Sequence, residues 1–230
     1  MKTLGLIGGL GPESTIEYYR FLIAAYREQR ADGSYPSLFI NSVNLTKVVD
    51  LITANRLAEV TEYLAGEVNK LASAGVELGL LTANTPHIVF DEIQRRSRIP
   101  LISIVEAACE EAKALGLKKL LLLGTRFTMQ GKFYPEVFSK AGIELVVPVA
   151  EERDYIHEKY MGELLKGIIL PETREGLLKI VDRLRVQEQI QGVILAGTEL
   201  PLILRGAGGD IPFLDTTEIH VRAAIKGLLS

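Results

Sequence analysis

The chain has 230 residues, with 26 Lys and Arg against 29 Asp and Glu and a formal net charge of −3. An apolar content of 47% excludes a disordered chain, and one cysteine excludes a disulfide scaffold, a zinc knuckle or an iron–sulfur cluster. Near-neutral charge without basic runs leaves no electrostatic footprint for nucleic acid. His87, His157 and His220 lie too far apart to read as a metal motif, so no metal is expected.

The N-terminal LGLIG is too short for a secretory apolar region, and no run approaches the roughly 18 apolar residues of a membrane span. No membrane partner is expected. A cytosolic location is, and a single unpaired thiol agrees with it.

In chain order, short apolar runs stand at LGLIG (4–8), SLFINSV (37–43), VELGLLT (76–82), PLIS (100–103), KLLLLG (119–124), IELVVP (143–148), GVILAG (192–197) and PFLD (212–215). Several are continuous rather than alternating, which suits parallel strands covered on both faces. Amphipathic stretches separate them, such as 56–74, with apolar positions three and four residues apart. Strand–helix alternation throughout predicts an α/β fold with parallel sheets.

Three landmarks recur at nearly constant offset. The loop at Gly8 returns at Gly124, 116 residues later; that at Ala83 returns at Gly197, 114 later; and Ile99 of IPLIS returns as Ile211 of IPFLD, 112 later. Ser103 with Glu106, and Asp215 with Glu218, read as N-cap and third helical residue of a capping box. The repeat predicts two pseudo-symmetric Rossmann-like halves. Residues 1–98 with 208–230 would form the first half, and 99–207 the second. Ligands of open parallel sheets bind beyond the carboxyl ends of strands. Four small-residue loops lie at such ends (8–15, 82–87, 124–130 and 197–201), and halves facing one another would converge them on one interdomain cleft.

In GGLGPEST (8–15), glycines including Gly9 let the backbone turn sharply or approach a ligand, and Pro12 suits the first turn of the next helix. The loop is neither a Walker loop nor a specific dinucleotide fingerprint. TANTPH (82–87) offers Asn84 and Thr85, which either cap the following helix or hold a ligand, and then His87. GTRFTMQG (124–131) offers Thr125 and Thr128 as carboxylate holders. AGTELP (196–201) offers Thr198 and Glu199.

LGLIGGLGPEST, LLTANTPH, LLGTRFTM followed by FYPEVF, GVILAGTELPLIL and the closing IPFLDTTEIH resemble the aspartate/glutamate racemase family over essentially the whole chain. The resemblance implies two facing Rossmann-like halves, a homodimer, and interconversion of L- and D-amino acids without a cofactor. It places one cysteine just before Asn-Thr in the second loop and another just before Thr-Glu in the fourth. Two acids are needed because a single base returns the proton to the face it left. Thiols suit the task, since a pKa near 8.5 is readily lowered by neighbours.

In this chain those positions are Ala83 and Gly197. Neither can carry a proton. Cys109, in VEAACEEAKALG, reads as a buried structural thiol on a helix. The resemblance does assign Asn84, Thr85, Thr125 and Thr198, with loop backbone N–H groups, to the substrate's α-carboxylate and amino group, and Arg56 and Lys166 to its side-chain carboxylate. Glu199, His87 or an activated Thr198 would have to serve as acid or base. Three readings therefore stand: a thiol-independent amino-acid racemase, a silent binder of an amino acid or dicarboxylate, and a different small-acid enzyme such as a lyase or hydrolase on the same scaffold.

Overall fold

A computed structural model describes residues 2–30, 32–207 and 209–230. The expected boundary at residue 208 falls outside them. Two compact units emerge, residues 1–104 with 217–230 and residues 105–216.

The first unit contains β1 (Leu4–Gly8), α1 (Pro12–Gln29), β2 (Leu38–Ser42), α2 (Leu45–Thr53), α3 (Leu57–Ser73), β3 (Leu78–Leu81), α4 (Phe90–Arg96) and β4 (Leu101–Ile102). Its sheet has the order β2-β1-β3-β4, and its described pairs are all parallel. β1 and β3 are buried at every position, as their unbroken apolar sequence requires, whereas the edge strand β2 is partly exposed.

The second unit contains α5 (Ile104–Ala114, its first residue counted with the first unit), β5 (Lys119–Gly124), α6 (Arg126–Gln130), α7 (Phe133–Lys140), β6 (Glu144–Val146), α8 (Ala150–Gly162), α9 (Pro171–Glu188), β7 (Gly192–Ala196), α10 (Leu200–Leu204) and β8 (Phe213–Asp215). Its sheet has the order β6-β5-β7-β8, again with parallel pairs. The landmarks of the sequence repeat thus occupy equivalent strands: β1 with β5, β3 with β7, and β4 with β8.

The units divide one strand later than the repeat suggested. β4 pairs with β3 through Gly79 and Leu101, so residues 99–104 belong to the first sheet. β8 pairs with β7 through Val193 and Phe213, so PFLD belongs to the second. A parallel strand completes the sheet its preceding crossover packs on, and only the helix after it changes unit. The chain leaves the first unit along α5 and returns along α11 (Thr216–Leu229), which start directly after Ser103 and Asp215.

Each unit has its own apolar core. In the first, Leu4 and Leu6 of β1 and Leu78 and Leu80 of β3 pack with Tyr18 and Leu22 of α1 and with Val221, Ala224, Ile225 and Leu228 of α11. In the second, Leu121, Leu123, Val193 and Leu195 of the central strands pack with Ile156 and Tyr160 of α8, Leu177, Val181 and Leu184 of α9, and Leu200 and Ile203 of α10. Among the described residues, no helix is long and apolar enough to cross a membrane.

Candidate active-site loops

In the first unit the loops after β1 and β3 are tied together by hydroxyls. Gly9 and Gly11 have φ of 74° and 135°, backbone that favours glycine, and they turn the chain into α1 with Pro12 in its first turn. The Gly9 N–H donates to Thr15 Oγ1 at 2.9 Å, and Thr15 Oγ1 donates to Gly11 O at 3.0 Å. Ser14 Oγ donates to Thr82 O at 2.8 Å, and Thr82 Oγ1 donates to Ile7 O at 3.0 Å. The Gly9 N–H, at a position where the sequence suggests a close approach to a ligand, is used within the loop. Ser14, Thr15 and Thr82, which do this binding together, were not singled out in the sequence.

Ala83 is buried at the end of β3. Asn84, 3% exposed, makes no side-chain cap to the 3-10 turn Thr85–Val89, so the capping reading of this residue does not hold. Pro86 lies in the first turn, and His87 is 3% exposed. His87 Nε2 accepts the Ile104 N–H at 3.2 Å, which leaves the proton on Nδ1 to be donated to Ala83 O at 2.9 Å. Its ring stacks on Phe90, with centroids 4.8 Å apart. Burial, then the nearby His220, pushes its pKa down to about 3. Both ring nitrogens are committed to backbone, so this histidine fastens β3 to the start of α5 and does not stand free as an acid or base. His220 is built alike. Its Nδ1 accepts from Tyr18 Oη at 2.8 Å, its Nε2 donates to Ile102 O at 2.9 Å, and burial pushes it down to about 4.

Arg56 stands at the N-cap of α3, and its fork grips Glu59 through Nε–Oε1 at 2.5 Å and Nη2–Oε2 at 2.6 Å. It borders an open cavity of about 660 Å³ with Asn44, Thr46, Lys47, Asp50 and Tyr63. The expected carboxylate holder is thus an exposed helix-start ion pair in this structure.

In the second unit, Thr125 caps α6 by accepting from the Thr128 N–H at 3.3 Å, and the Thr125 and Thr128 hydroxyls lie 3.2 Å apart. Gly124 permits this closeness: a Cβ there would fall 2.5 Å from Ala196 O and 3.1 Å from Thr128 Cβ. Thr198 and Glu199 are buried, and Thr198 Oγ1 donates to Glu199 Oε2 at 2.9 Å. Tyr160 Oη, from α8, donates to the same Oε2. Burial, then the Glu199 carboxylate, raises the Tyr160 pKa well above that of an ordinary phenol. A Cβ built on Gly197 would lie 2.5 Å from Tyr160 Cε2 and 3.1 Å from its Cζ and Oη, so the ring fills the room a side chain at 197 would need.

Lys166 is exposed at the end of the 3-10 turn Leu164–Lys166. Cys109 is buried on α5, and burial and Glu110 push its thiol up, the reverse of an activated nucleophile. Among the described residues, no group of three or more His, Cys, Asp or Glu side chains is placed to hold a metal ion.

The chain resembles known proteins along its full length. It is 25% identical over 236 residues to the broad specificity amino-acid racemase RacX of Bacillus subtilis, covering 99% of this chain and 98% of that protein. An aspartate racemase homologue from Pyrococcus horikoshii is 36% identical, with a TM-score of 0.85 and both chains covered completely. The aspartate racemase of Picrophilus torridus, 23% identical, shares the fold with a TM-score of 0.79 over 99% of this chain and 94% of its own. The Asp/Glu/Hydantoin racemase family profile matches residues 7–224. With the doubled four-stranded architecture and its ordered loops, that match over nearly the whole chain shows that this protein belongs to the Asp/Glu/hydantoin racemase family.

Proposed function

We propose that this chain is a cofactor-independent isomerase of the amino-acid racemase type, acting on aspartate- or glutamate-like amino acids and moving the α-proton without thiols at positions 83 and 197. Family membership and the activity named for RacX support the reaction class. The observation that carries it is the buried polar set kept at the carboxyl ends of the central strands: Asn84, Thr125, Thr128, Thr198 and Glu199. Buried amides and hydroxyls of this kind fix the α-carboxylate and amino group of a small zwitterion. Arg56 would grip a side-chain carboxylate bidentately by exchanging Glu59 for the ligand, and Lys166 would add a second cation.

A second reading is a binding protein for an amino acid or dicarboxylate that performs no chemistry. It is favoured by His87, whose nitrogens are both bonded to backbone, and by the absence of a proton carrier at Ala83 and Gly197.

One experiment separates the two. Amino acids of both configurations are incubated with the protein in D₂O, followed by mass and chiral analysis. Exchange at the α-carbon with loss of configuration is expected, whereas stabilisation by ligand without exchange selects the binding protein. A cytosolic homodimer is part of the proposal. The single cysteine supports the location, and exposed Ile16, Tyr19, Phe39 and Ile40 on α1 and the edge strand β2 support an interface. Sedimentation equilibrium at twice the chain mass is the expected result.

A further inference from the structure

The side-chain room at position 197 is occupied by a phenol from another helix. Tyr160 is 5% exposed, and its Oη lies 3.1 Å from the point where a Cβ of residue 197 would stand. The phenol is held from beyond by Glu199 Oε2, which also accepts from Thr198. Glu199 and Thr198 follow Gly197 directly at the start of α10, while Tyr160 arrives from α8, 37 residues upstream of Gly197.

We infer that Tyr160 with Glu199 is the proton-transfer pair on the β7 side of the site, standing in for a side chain at 197. The inference rests on the proposed isomerase reading. Burial keeps the phenol protonated at neutral pH, so it works as a relay rather than as a preformed phenolate. The proton on the substrate's Cα moves to Tyr160 Oη while the phenol's own proton moves to Glu199 Oε2. The C–H electron pair stays on the substrate, delocalised into its α-carboxylate. Reversal restores all three groups and returns the proton to the face it left, so this pair serves one face of Cα. A change of configuration takes its new proton from a donor on the other face. One C–H and one O–H bond break, two O–H bonds form, and nothing is oxidised or reduced. Thr198 holds the carboxylate oriented and is a positioning residue.

The test is α-deuterium exchange in D₂O by the full chain and by Tyr160→Phe, Glu199→Gln and a variant with 2,3,5-trifluorotyrosine at 160, each with ligand-induced thermal shift measured in parallel. Tyr160→Phe keeps the ring that fills the core and is expected to lower exchange about 100-fold or more, the scale of general acid–base assistance, with the ligand-induced shift unchanged. Trifluorotyrosine, a more acidic phenol, is expected to move the alkaline limb of the pH–rate profile to lower pH, which a purely structural tyrosine would not do. Exchange by Tyr160→Phe at the full rate overturns the inference and leaves the isomerase reading in place. So does parallel loss of exchange and ligand binding. No exchange by the unmodified chain with any amino acid tested overturns the isomerase reading, and the inference with it.

Discussion

The turns after β3 and β7 occupy equivalent places in two sheets of the same strand order, yet they are built differently. After β3, position 83 carries a methyl group, and the neighbouring carbonyl is held by a neutral, buried histidine. After β7, position 197 carries a hydrogen, and an aromatic ring from α8 takes the space beside it, bonded to the glutamate two residues on. Equivalence in a repeat therefore fixes where the backbone turns but not how much room a side chain finds there. The first turn is a closed clamp of backbone bonds, and the second contains a buried phenol–carboxylate contact with a proton between its partners.

The largest expected effect tests the second turn. Tyr160→Ala removes a ring from the core of its unit and strips Glu199 of a donor, and should cost about 3–5 kcal/mol in chemical denaturation; a cost below about 1 kcal/mol would mean that the ring does not fill the turn. Acid should act on the first turn. His87 and His220 have folded pKa values pushed down to about 3 and about 4, against about 6.5 in the unfolded chain. The unfolded chain thus binds protons that the folded one refuses. Stability is full above pH 6.5 and falls as the pH drops towards 4, by up to about 1.4 kcal/mol per pH unit for each histidine. Thermal melts from pH 7 to 5 should show this, and His220→Asn should flatten the slope.

A side-by-side pair sharpens the contrast. Gly197→Cys must displace the Tyr160 ring and should cost about 1–3 kcal/mol, whereas Ala83→Cys adds one atom to an existing side chain and should cost less than about 1 kcal/mol. Equal costs would erase the difference between the turns. The smallest effect on stability is expected at Arg56→Ala, which breaks an exposed ion pair that solvent screens. It should still abolish any preference for dicarboxylic over monocarboxylic amino acids in thermal-shift assays, and an unchanged preference would remove Arg56 from the site.

Much of this fold was legible in the residues. Unbroken apolar runs marked β1, β5 and β7 to within a residue or so, because a strand covered on both faces has no polar alternation to blur its ends. The repeat placed β3 with β7 and β4 with β8, but it misassigned both closing strands, since a sequence offset does not say with which neighbour a strand bonds. At the site, Thr125, Thr198 and Glu199 stood out because they lie in the loops themselves. Tyr160 did not. It lies in EERDYIHEKYMG, a helix so dense in charge that no apolar stripe announces an inward face, and its partner Glu199 is 39 residues away. Nor could spacing show that His87 spends both nitrogens on backbone, one of them on Ile104 17 residues later. The one available hint was glycine at 197, a residue type that signals crowding as readily as flexibility.

The fit of the Tyr160 ring against Gly197 also bears on descent. A chain carrying this pair cannot gain a side chain at 197 by one substitution without crowding the ring, and it cannot shed the ring alone without a hollow core. Each change costs stability unless the other accompanies it, so the two positions are expected to covary as a unit when related sequences are compared.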